Sequence, residues 1–328
     1  MKSVTIVIPV LNEAAAIAAN MRQIVEAVKS LSPAVDARIL VVDDGSRDDT
    51  VRIVQRLAET EPIIQILALT RNFGKEAAIH AGLDHTSSDA AIVMDSDLQH
   101  PPALLPRMIQ LWGEGIDVVE AYKVDRGGES RLSGLLAGGF YTLFSRLAGF
   151  DLRNHSDFKL LDRRVVEAYC RLPERGRVFR GLITWMQFPS ARIPFEVPER
   201  RGGGSAWSRL RLIKYSLTII SSFSSLPLQV VGWAGALTLG ISMVLGTKTL
   251  YDKIMGHAID GFATVILLLL ILGSIIMLSI GVVGNYVARI YEEVKRRPGY
   301  LIDQRRSSVT GPRDADPAGK INSRSGET

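Results

Sequence analysis

Four short β-type runs, each ending in a polar cluster, constrain this sequence more than any other feature. They are Val4–Pro9, closed by Asn12-Glu13; Arg38–Val42, closed by Asp43-Asp44-Gly45-Ser46; Ile63–Leu69, closed by Arg71-Asn72; and Ala90–Met94, closed by Asp95-Ser96-Asp97. Helical periodicity fills the gaps. Ile17, Met21, Ile24, Val25, Val28 and Leu31 recur at the spacing of one apolar helix face. Ser46, with Asp49 three residues on, predicts an N-cap ahead of Val51, Ile53, Val54 and Leu57. A third helix follows Lys75, and Pro101-Pro102 opens a fourth. Alternating βα units require a mostly parallel sheet with right-handed crossovers. Ligands of such sheets bind outside the carboxyl ends of the strands, so the four polar clusters are expected to converge on one crevice.

The second constraint is two long runs without a charge, Leu226–Leu245 and Phe262–Val283. Each matches the ~20 residues that a helix needs to span a bilayer. The second holds about fifteen Leu, Ile, Phe or Val residues, whose summed insertion free energy is on the order of −4 to −9 kcal/mol. Arg200, Arg201, Arg209, Arg211 and Lys214 precede the first run, and Arg289, Lys295, Arg296 and Arg297 follow the second. The positive-inside rule then puts both flanks in the cytoplasm, with Lys248–Gly261 as a short loop on the other side. The expected organisation is a cytoplasmic domain over 1–205, an amphipathic juxtamembrane helix over 206–225, spans at 226–246 and 262–283, a second juxtamembrane helix over 284–302, and a disordered polar tail over 303–328.

Charge and cysteine content exclude other classes. The 39 Lys and Arg against 34 Asp and Glu leave a net charge of +5, clustered where an anionic membrane or phosphate groups would lie. No nucleic-acid module is present, so no nucleic-acid partner is expected. The single cysteine, Cys170, excludes an internal disulfide and a CxxC metal site. The start, Met1-Lys2-Ser3-Val4-Thr5, passes straight into a strand without the pattern of a signal peptide, which predicts that the first two hundred residues stay in the cytoplasm.

The polar clusters carry the chemistry. If the chain stays extended after the fourth strand, Asp95, Asp97 and Gln99 point to one side. Three oxygen-bearing groups there suit a hard divalent ion, Mg²⁺ or Mn²⁺, able to neutralise a diphosphate leaving group. Pro9, Asn12 and Glu13 at the first tip and Asp43 and Asp44 at the second can meet a base and ribose. Lys75, in Arg71-Asn72-Phe73-Gly74-Lys75, brings a cation to the third tip, near phosphates.

Together PVLNE, VVDDGS, RNFGKE, DSDLQHPP and the two-span C-terminal region resemble the family 2 glycosyltransferases, and among them the polyprenyl-phosphate glycosyltransferases of the dolichol-phosphate mannose synthase type. The resemblance covers roughly residues 1–300. It implies a GT-A fold, that is, a Rossmann-like mostly parallel sheet, with inverting transfer from a nucleotide-sugar donor to a polyprenyl phosphate. By position, Asp43 would contact the base, Asp95 and Asp97 the metal–diphosphate unit, and Gln99 the metal.

On the acceptor side, Arg126 and Arg131 on a Gly-rich segment, and Arg200, Arg201 and Ser205 ahead of the surface helix, are the candidates to hold a lipid phosphate, because guanidinium groups bind phosphate bidentately. Arg131 is counted among the catalytic residues with Asp97. Relatives often carry Gly-x-Ser-Lys in this loop, whereas Ala206 stands at the lysine position here. Asp157, in Asn154-His155-Ser156-Asp157-Phe158-Lys159, is the candidate general base, with orientation of a cation or of the acceptor as the other role; Phe158, Leu160 and Leu161 read as core. Self-association through the membrane and juxtamembrane helices is a further expectation. A processive polysaccharide synthase would share the donor site but need a QxxRW-type motif and more spans, and a non-catalytic scaffold would not need Asp95, Asp97 and Gln99.

Overall fold

The computed structural model describes residues 1–31, 35–123, 156–174, 176–195, 226–255 and 261–309. Arg126, Arg131, Arg200, Arg201, Ser205 and Ala206, together with the expected juxtamembrane helix over 206–225, lie outside them. The described residues fall into two compact units, one of 1–123, 156–195 and 298–309 and the other of 226–255 and 261–297.

The first unit is a seven-stranded sheet with helices. In chain order it runs β1 (Ser3–Val10), α1 (Ile17–Lys29), β2 (Asp36–Asp43), α2 (Thr50–Thr60), β3 (Ile64–Ala68), α3 (Lys75–Asp84), β4 (Ala90–Val93), α4 (Leu105–Gly113), β5 (Val118–Lys123), β6 (Lys159–Asp162), α5 (Arg163–Arg171), α6 (Phe179–Trp185) and β7 (Ser190–Phe195). The strand order is β3-β2-β1-β4-β6-β5-β7. Pairs β1–β2, β1–β4, β2–β3 and β5–β7 are parallel, and β6 alone runs antiparallel to its neighbours β4 and β5. The four strands read from sequence are therefore the parallel half, and their tips share one edge.

Burial explains the pattern. Val4 and Ile6 to Ile8 of β1 and Ile39 to Val42 of β2 are buried on both faces, as strands of a covered parallel sheet must be. Helix α1 buries Ile17, Met21, Ile24, Val25 and Val28, the face its periodicity marks. Phe158, Leu160 and Leu161 are fully buried, as expected.

Three local expectations are corrected. Ser46 does not cap α2, whose N-cap is Asp49. Instead Asp48 Oδ1 accepts the Thr50 N–H at 3.0 Å, and the Ser46 hydroxyl is drawn to another loop. The chain does not stay extended through Asp95–Gln99: Leu98 has φ 60°, and Asp97 Oδ1 accepts the Gln99 N–H at 3.0 Å in a tight turn. The expected disordered tail is ordered over its first residues. Asp303 N donates to Ala68 O at 2.8 Å, Ser308 N to Ile66 O at 2.9 Å, and Leu69 bridges Ile302. The outer edge of β3 is open in the sheet order, and an open edge accepts any extended backbone whatever its side chains. Composition cannot reveal that.

The second unit contains two long helices, α7 (Leu226–Ile254) and α8 (Phe262–Val294). Both outrun the expected spans. Helix α7 takes in much of the expected 248–261 loop. Helix α8 continues past residue 283 without a break, so 284–302 is not a separate helix: its first part extends α8 and its end belongs to the β3 edge. The stretch Ile271–Val294 has a mean hydropathy of 1.9 and is long and apolar enough to cross a membrane; it is the one such helix among the described residues. Trp233, Leu237, Met243 and Val244 on α7 and Ile276, Met277, Leu278 and Ile280 on α8 are exposed. Apolar surface of this extent marks contact with lipid or protein.

Candidate active site

The loops at the carboxyl edge of the sheet are stapled to one another by side chains. Asn12, held at φ 54°, donates its N–H to Ser46 Oγ at 2.8 Å and accepts the Arg47 N–H on Oδ1 at 2.9 Å. Glu13 N donates to Thr50 Oγ1 at 2.8 Å, and Ala14 N to Asp48 Oδ2 at 3.1 Å. Asp44 spends both carboxylate oxygens on the next loop, accepting Phe73 N at 2.7 Å and Gly74 N at 2.9 Å. Gly45 sits at φ +73°, and a Cβ there would come within 2.3 Å of the Arg71 carbonyl carbon. Only glycine allows the two loops this close an approach.

These loops enclose a cavity of about 240 Å³ lined by Pro9, Val10, Leu11, Glu13, Asp44, Lys75, Asp95, Ser96 and Asp97. Of the residues expected in the donor site, Pro9, Glu13, Asp44, Lys75, Asp95 and Asp97 are thus brought together. Asn12 lies outside that lining as a loop clip, and Gln99 lies outside it because the Leu98 turn carries it away. Asp43 is fully buried; one carboxylate oxygen accepts Ser46 N at 3.1 Å, and the other has no partner.

The cavity is acidic. Burial raises the pKa of Glu13, and the neighbouring Asp97, Asp48 and Asp95 add to the rise. The counter-charge is Lys75, at the first position of α3, whose Nζ lies 2.6 Å from Asp95 Oδ1 and 2.8 Å from Asp157 Oδ2. Burial alone would lower the Lys75 pKa, but Asp157 and Asp95 together raise it. His100 fixes the Asp95 loop. Its Nδ1 accepts the Asp95 N–H at 2.9 Å, and its ring stacks on Phe158 at 5.0 Å. Burial lowers its pKa, so the imidazole is neutral.

Asp157 anchors the network from beneath. Arg180 of α6 donates from Nε to Asp157 Oδ1 at 2.7 Å, opposite the Lys75 contact. Burial would raise the pKa of this carboxyl, but Arg180 and then Lys75 outweigh it and hold the group well below the usual carboxylate range. A carboxylate so acidic and so fully paired does not take up a proton at neutral pH. Its contacts to Lys75 and Arg180 match the second of the two roles expected of it, the orientation of cations.

A family model for glycosyl transferase family 2 matches residues 5–170. The chain belongs to that family. It is similar over nearly its full length to bactoprenol glucosyl transferase of Shigella phage SfX, at 37% identity over 305 residues covering 92% of this chain and 99% of the relative. The prophage bactoprenol glucosyl transferase homolog of Escherichia coli (strain K12) is 35% identical over 301 residues, 91% and 98% of the two chains. Among solved structures, glucosyl-3-phosphoglycerate synthase from Mycobacterium tuberculosis in complex with Mg²⁺ and uridine-diphosphate covers 66% of this chain and 79% of its own at 23% identity, with a TM-score of 0.48.

The network around the cavity of this family 2 glycosyltransferase also includes residues that its sequence does not advertise. Arg180 lies far from every strand tip along the chain, and Asp48 and Thr50 look like ordinary helix-start residues. Glu76, next to Lys75, accepts the Phe179 N–H at 2.8 Å and so ties α3 to α6. Burial, with Asp157 adding to it, pushes its pKa up to about 7 against weaker opposing effects of Arg180 and Lys75. A carboxyl raised in the folded state stabilises fully below its unfolded value of 4.5, and that contribution is lost as pH rises through about 7. Glu76→Gln, which keeps an acceptor for Phe179 and removes the charge, should raise stability at pH 8 by on the order of 2 kcal/mol and change it little at pH 5. Denaturant midpoints across that range test this; a variant no more stable at pH 8 would remove Glu76 as the source.

Proposed function

We propose that the chain transfers glucose, with inversion, from UDP-glucose to undecaprenyl phosphate at the cytoplasmic face of a membrane. The products are UDP and a lipid-linked glucose available for cell-envelope glycan modification. The observation that carries this reading is the near full-length similarity to enzymes named bactoprenol glucosyl transferase. Helices α7 and α8 are then the two spans, with both flanks cytoplasmic.

The cavity fits the donor half. Glu13, Asp95 and Asp97 crowd negative charge around a space that the diphosphate of a nucleotide-sugar would also enter. Among the described residues no three His, Cys, Asp or Glu side chains form a closed metal cage. An open pair of carboxylates nevertheless suits Mg²⁺ or Mn²⁺, which commonly takes one or two carboxylates and completes its shell with water and substrate phosphates. Asp95 and Asp97 would hold the ion; Gln99 is a less favoured ligand because of the Leu98 turn. When bound, the ion supplies charge neutralisation of the departing diphosphate.

The protein's own groups supply the rest. Lys75, steered by Asp157, offers an ammonium group beside Asp95 where phosphate charge would lie. His100 holds the Asp95 backbone in place. The acceptor needs no general base, since a phosphomonoester with a second pKa of ~6 is largely dianionic at neutral pH, which agrees with the acidity of Asp157. Arg126, Arg131, Arg200, Arg201 and Ser205 remain the proposed acceptor-phosphate set.

The test is a donor screen with the full chain in lipid nanodiscs. UDP-glucose should give Mn²⁺- or Mg²⁺-dependent UDP release only when undecaprenyl phosphate is present, and chelation should stop it. Release limited to another donor would displace glucose, polymer formation would favour a processive synthase, and absence of release with every donor would sink the enzyme reading.

A further inference from the structure

The segment after α8 does more than cover a sheet edge. Thr70 N donates to Leu301 O at 2.9 Å, Asp303 N to Ala68 O at 2.8 Å, and Ser308 N to Ile66 O at 2.9 Å. The Ser307 and Ser308 hydroxyls accept the N–H groups of Ala68 and Ile66, each at 2.9 Å. The strap is also fastened to helices. Tyr300 donates its hydroxyl to Asp84 of α3 at 2.6 Å, and Gln55 of α2 donates to Arg306 O at 3.2 Å. Residues 301–308 thus run antiparallel to β3, with 301–303 at the carboxyl edge where the site lies.

That register brings the strap beside Asp43. Asp43 pairs with Ala68 across β2 and β3, its carbonyl accepts the Leu69 N–H, and Ala68 in turn accepts from Asp303 on its other side. Two strand spacings, about 9–10 Å in all, separate Asp43 from the strap backbone at Asp303, and Arg306 follows in the next turn, adjacent to Ser307, whose hydroxyl accepts the Ala68 N–H. The guanidinium of Arg306 makes no hydrogen bond or ion pair among the described residues. It lies close enough to Asp43 to offset part of the rise that burial imposes on that carboxyl's pKa. Asp43 is fully buried yet keeps Oδ1 without a partner. A buried unpaired carboxylate oxygen is costly unless something completes it.

We propose that Arg306 is a specificity-determining residue of the donor site, which with Asp43 reads the pairing edge of a uracil base, the strap 301–308 forming the outer wall of the base pocket. Uracil presents an N3–H donor between two carbonyl acceptors. A carboxylate accepts the first, and an adjacent guanidinium donates to the carbonyl at C4. Cytosine reverses both positions, with a lone pair at N3 and an amine at C4, so the same two side chains repel it. Loss of a buried polar partner is what makes such discrimination strong. The inference rests on the nucleotide-sugar reading of the cavity and adds to it a residue from the far end of the chain.

The test uses the full chain in nanodiscs, with UDP and CDP as probes in calorimetric titrations and UDP-glucose in kinetics. Arg306→Ala should weaken UDP at least tenfold and raise the donor KM in parallel, with kcat within threefold. CDP affinity should change less than threefold, so the preference for UDP narrows. Arg306→Lys, which keeps a donor and the charge, should restore part of the UDP affinity. Unchanged UDP affinity in Arg306→Ala, even with a lowered melting temperature, would overturn the proposal and leave Arg306 only a fastening of the strap. Asp43→Asn separates the two levels. If it loses UDP binding while Arg306→Ala does not, the base site stands and this inference fails. If neither loses binding, the base site itself is misplaced.

Discussion

Replacing Asp97 by alanine should lower sugar transfer by on the order of 10³-fold, about 4 kcal/mol of transition-state stabilisation, with little loss of fold. Asp97 is exposed, and its one hydrogen bond among the described residues is the turn contact from Gln99 N at 3.0 Å. An exposed turn of this kind contributes roughly 1 kcal/mol or less, so the melting temperature should stay within a few degrees. In the proposed mechanism its carboxylate is one of two that hold the ion beside the leaving diphosphate. Its removal also takes away a charge that raises the Glu13 pKa. Transfer to lipid phosphate, measured across a Mn²⁺ titration, distinguishes the effects. Activity within tenfold of the parent at all metal concentrations would remove Asp97 from the site. Activity restored by excess metal would make it a contributor to affinity alone.

Asp157→Ala should show the second-largest effect, and it should damage both stability and activity. The substitution takes from Lys75 and Arg180 the one buried carboxylate that they now share. Breaking a buried pair by removing one partner typically costs about 3–5 kcal/mol. Here the two cations are 44% and 40% exposed and can recover part of their hydration, which brings the expected loss to roughly 2–4 kcal/mol. Because the Asp157 pKa is depressed, its stabilisation is fully present above the unfolded carboxyl value and fades only as pH falls through the lower folded one. The Asp157 carboxylate itself adds no pH dependence from pH 6 to 8, but its loss also relieves the Glu76 carboxyl, whose raised pKa it supports, so the variant's deficit should narrow as pH rises toward 8. Freed from Asp157, Lys75 keeps Asp95 alone as a partner among the described residues, and transfer should fall at least a hundredfold. A general base would behave differently: its loss would reshape the pH–rate profile near neutrality, whereas an orienting residue lowers the rate without moving the profile. A shifted profile would reinstate the base role.

Much of the proposed donor site was legible because its signals are local. A strand tip shows as an apolar run ending in acids or amides, and a parallel sheet sends such tips to one edge whatever the details. Pro9, Glu13, Asp44, Lys75, Asp95 and Asp97 all stand at such tips in the sequence and line one cavity in the fold. Roles were harder than positions. Asp44 and Asn12 read as ligand contacts, yet they spend hydrogen bonds holding neighbouring loops. Ser46 looked like a helix cap because it stands ahead of an apolar stripe, but a closer competitor, the Asn12 N–H, claims its hydroxyl. Such choices depend on which loop arrives beside which, and spacing along the chain does not encode that.

The polar clusters at the strand ends were set by the sequence alone, through apolar periodicity and the short range of turn chemistry. So were the charge-free runs of α7 and α8, since hydropathy is a property of composition. What only the tertiary structure decided is how charges far apart in the chain neutralise one another. Arg180 and Lys75 reach Asp157 because α6 and α3 both pack against α5, the helix that lies on β6, and Arg306 nears Asp43 because a polar tail found an open edge of β3. Backbone pairing at a sheet edge is indifferent to side-chain identity, and the Coulomb energy of a buried group depends on distance in space. Neither quantity can be read along one dimension of sequence.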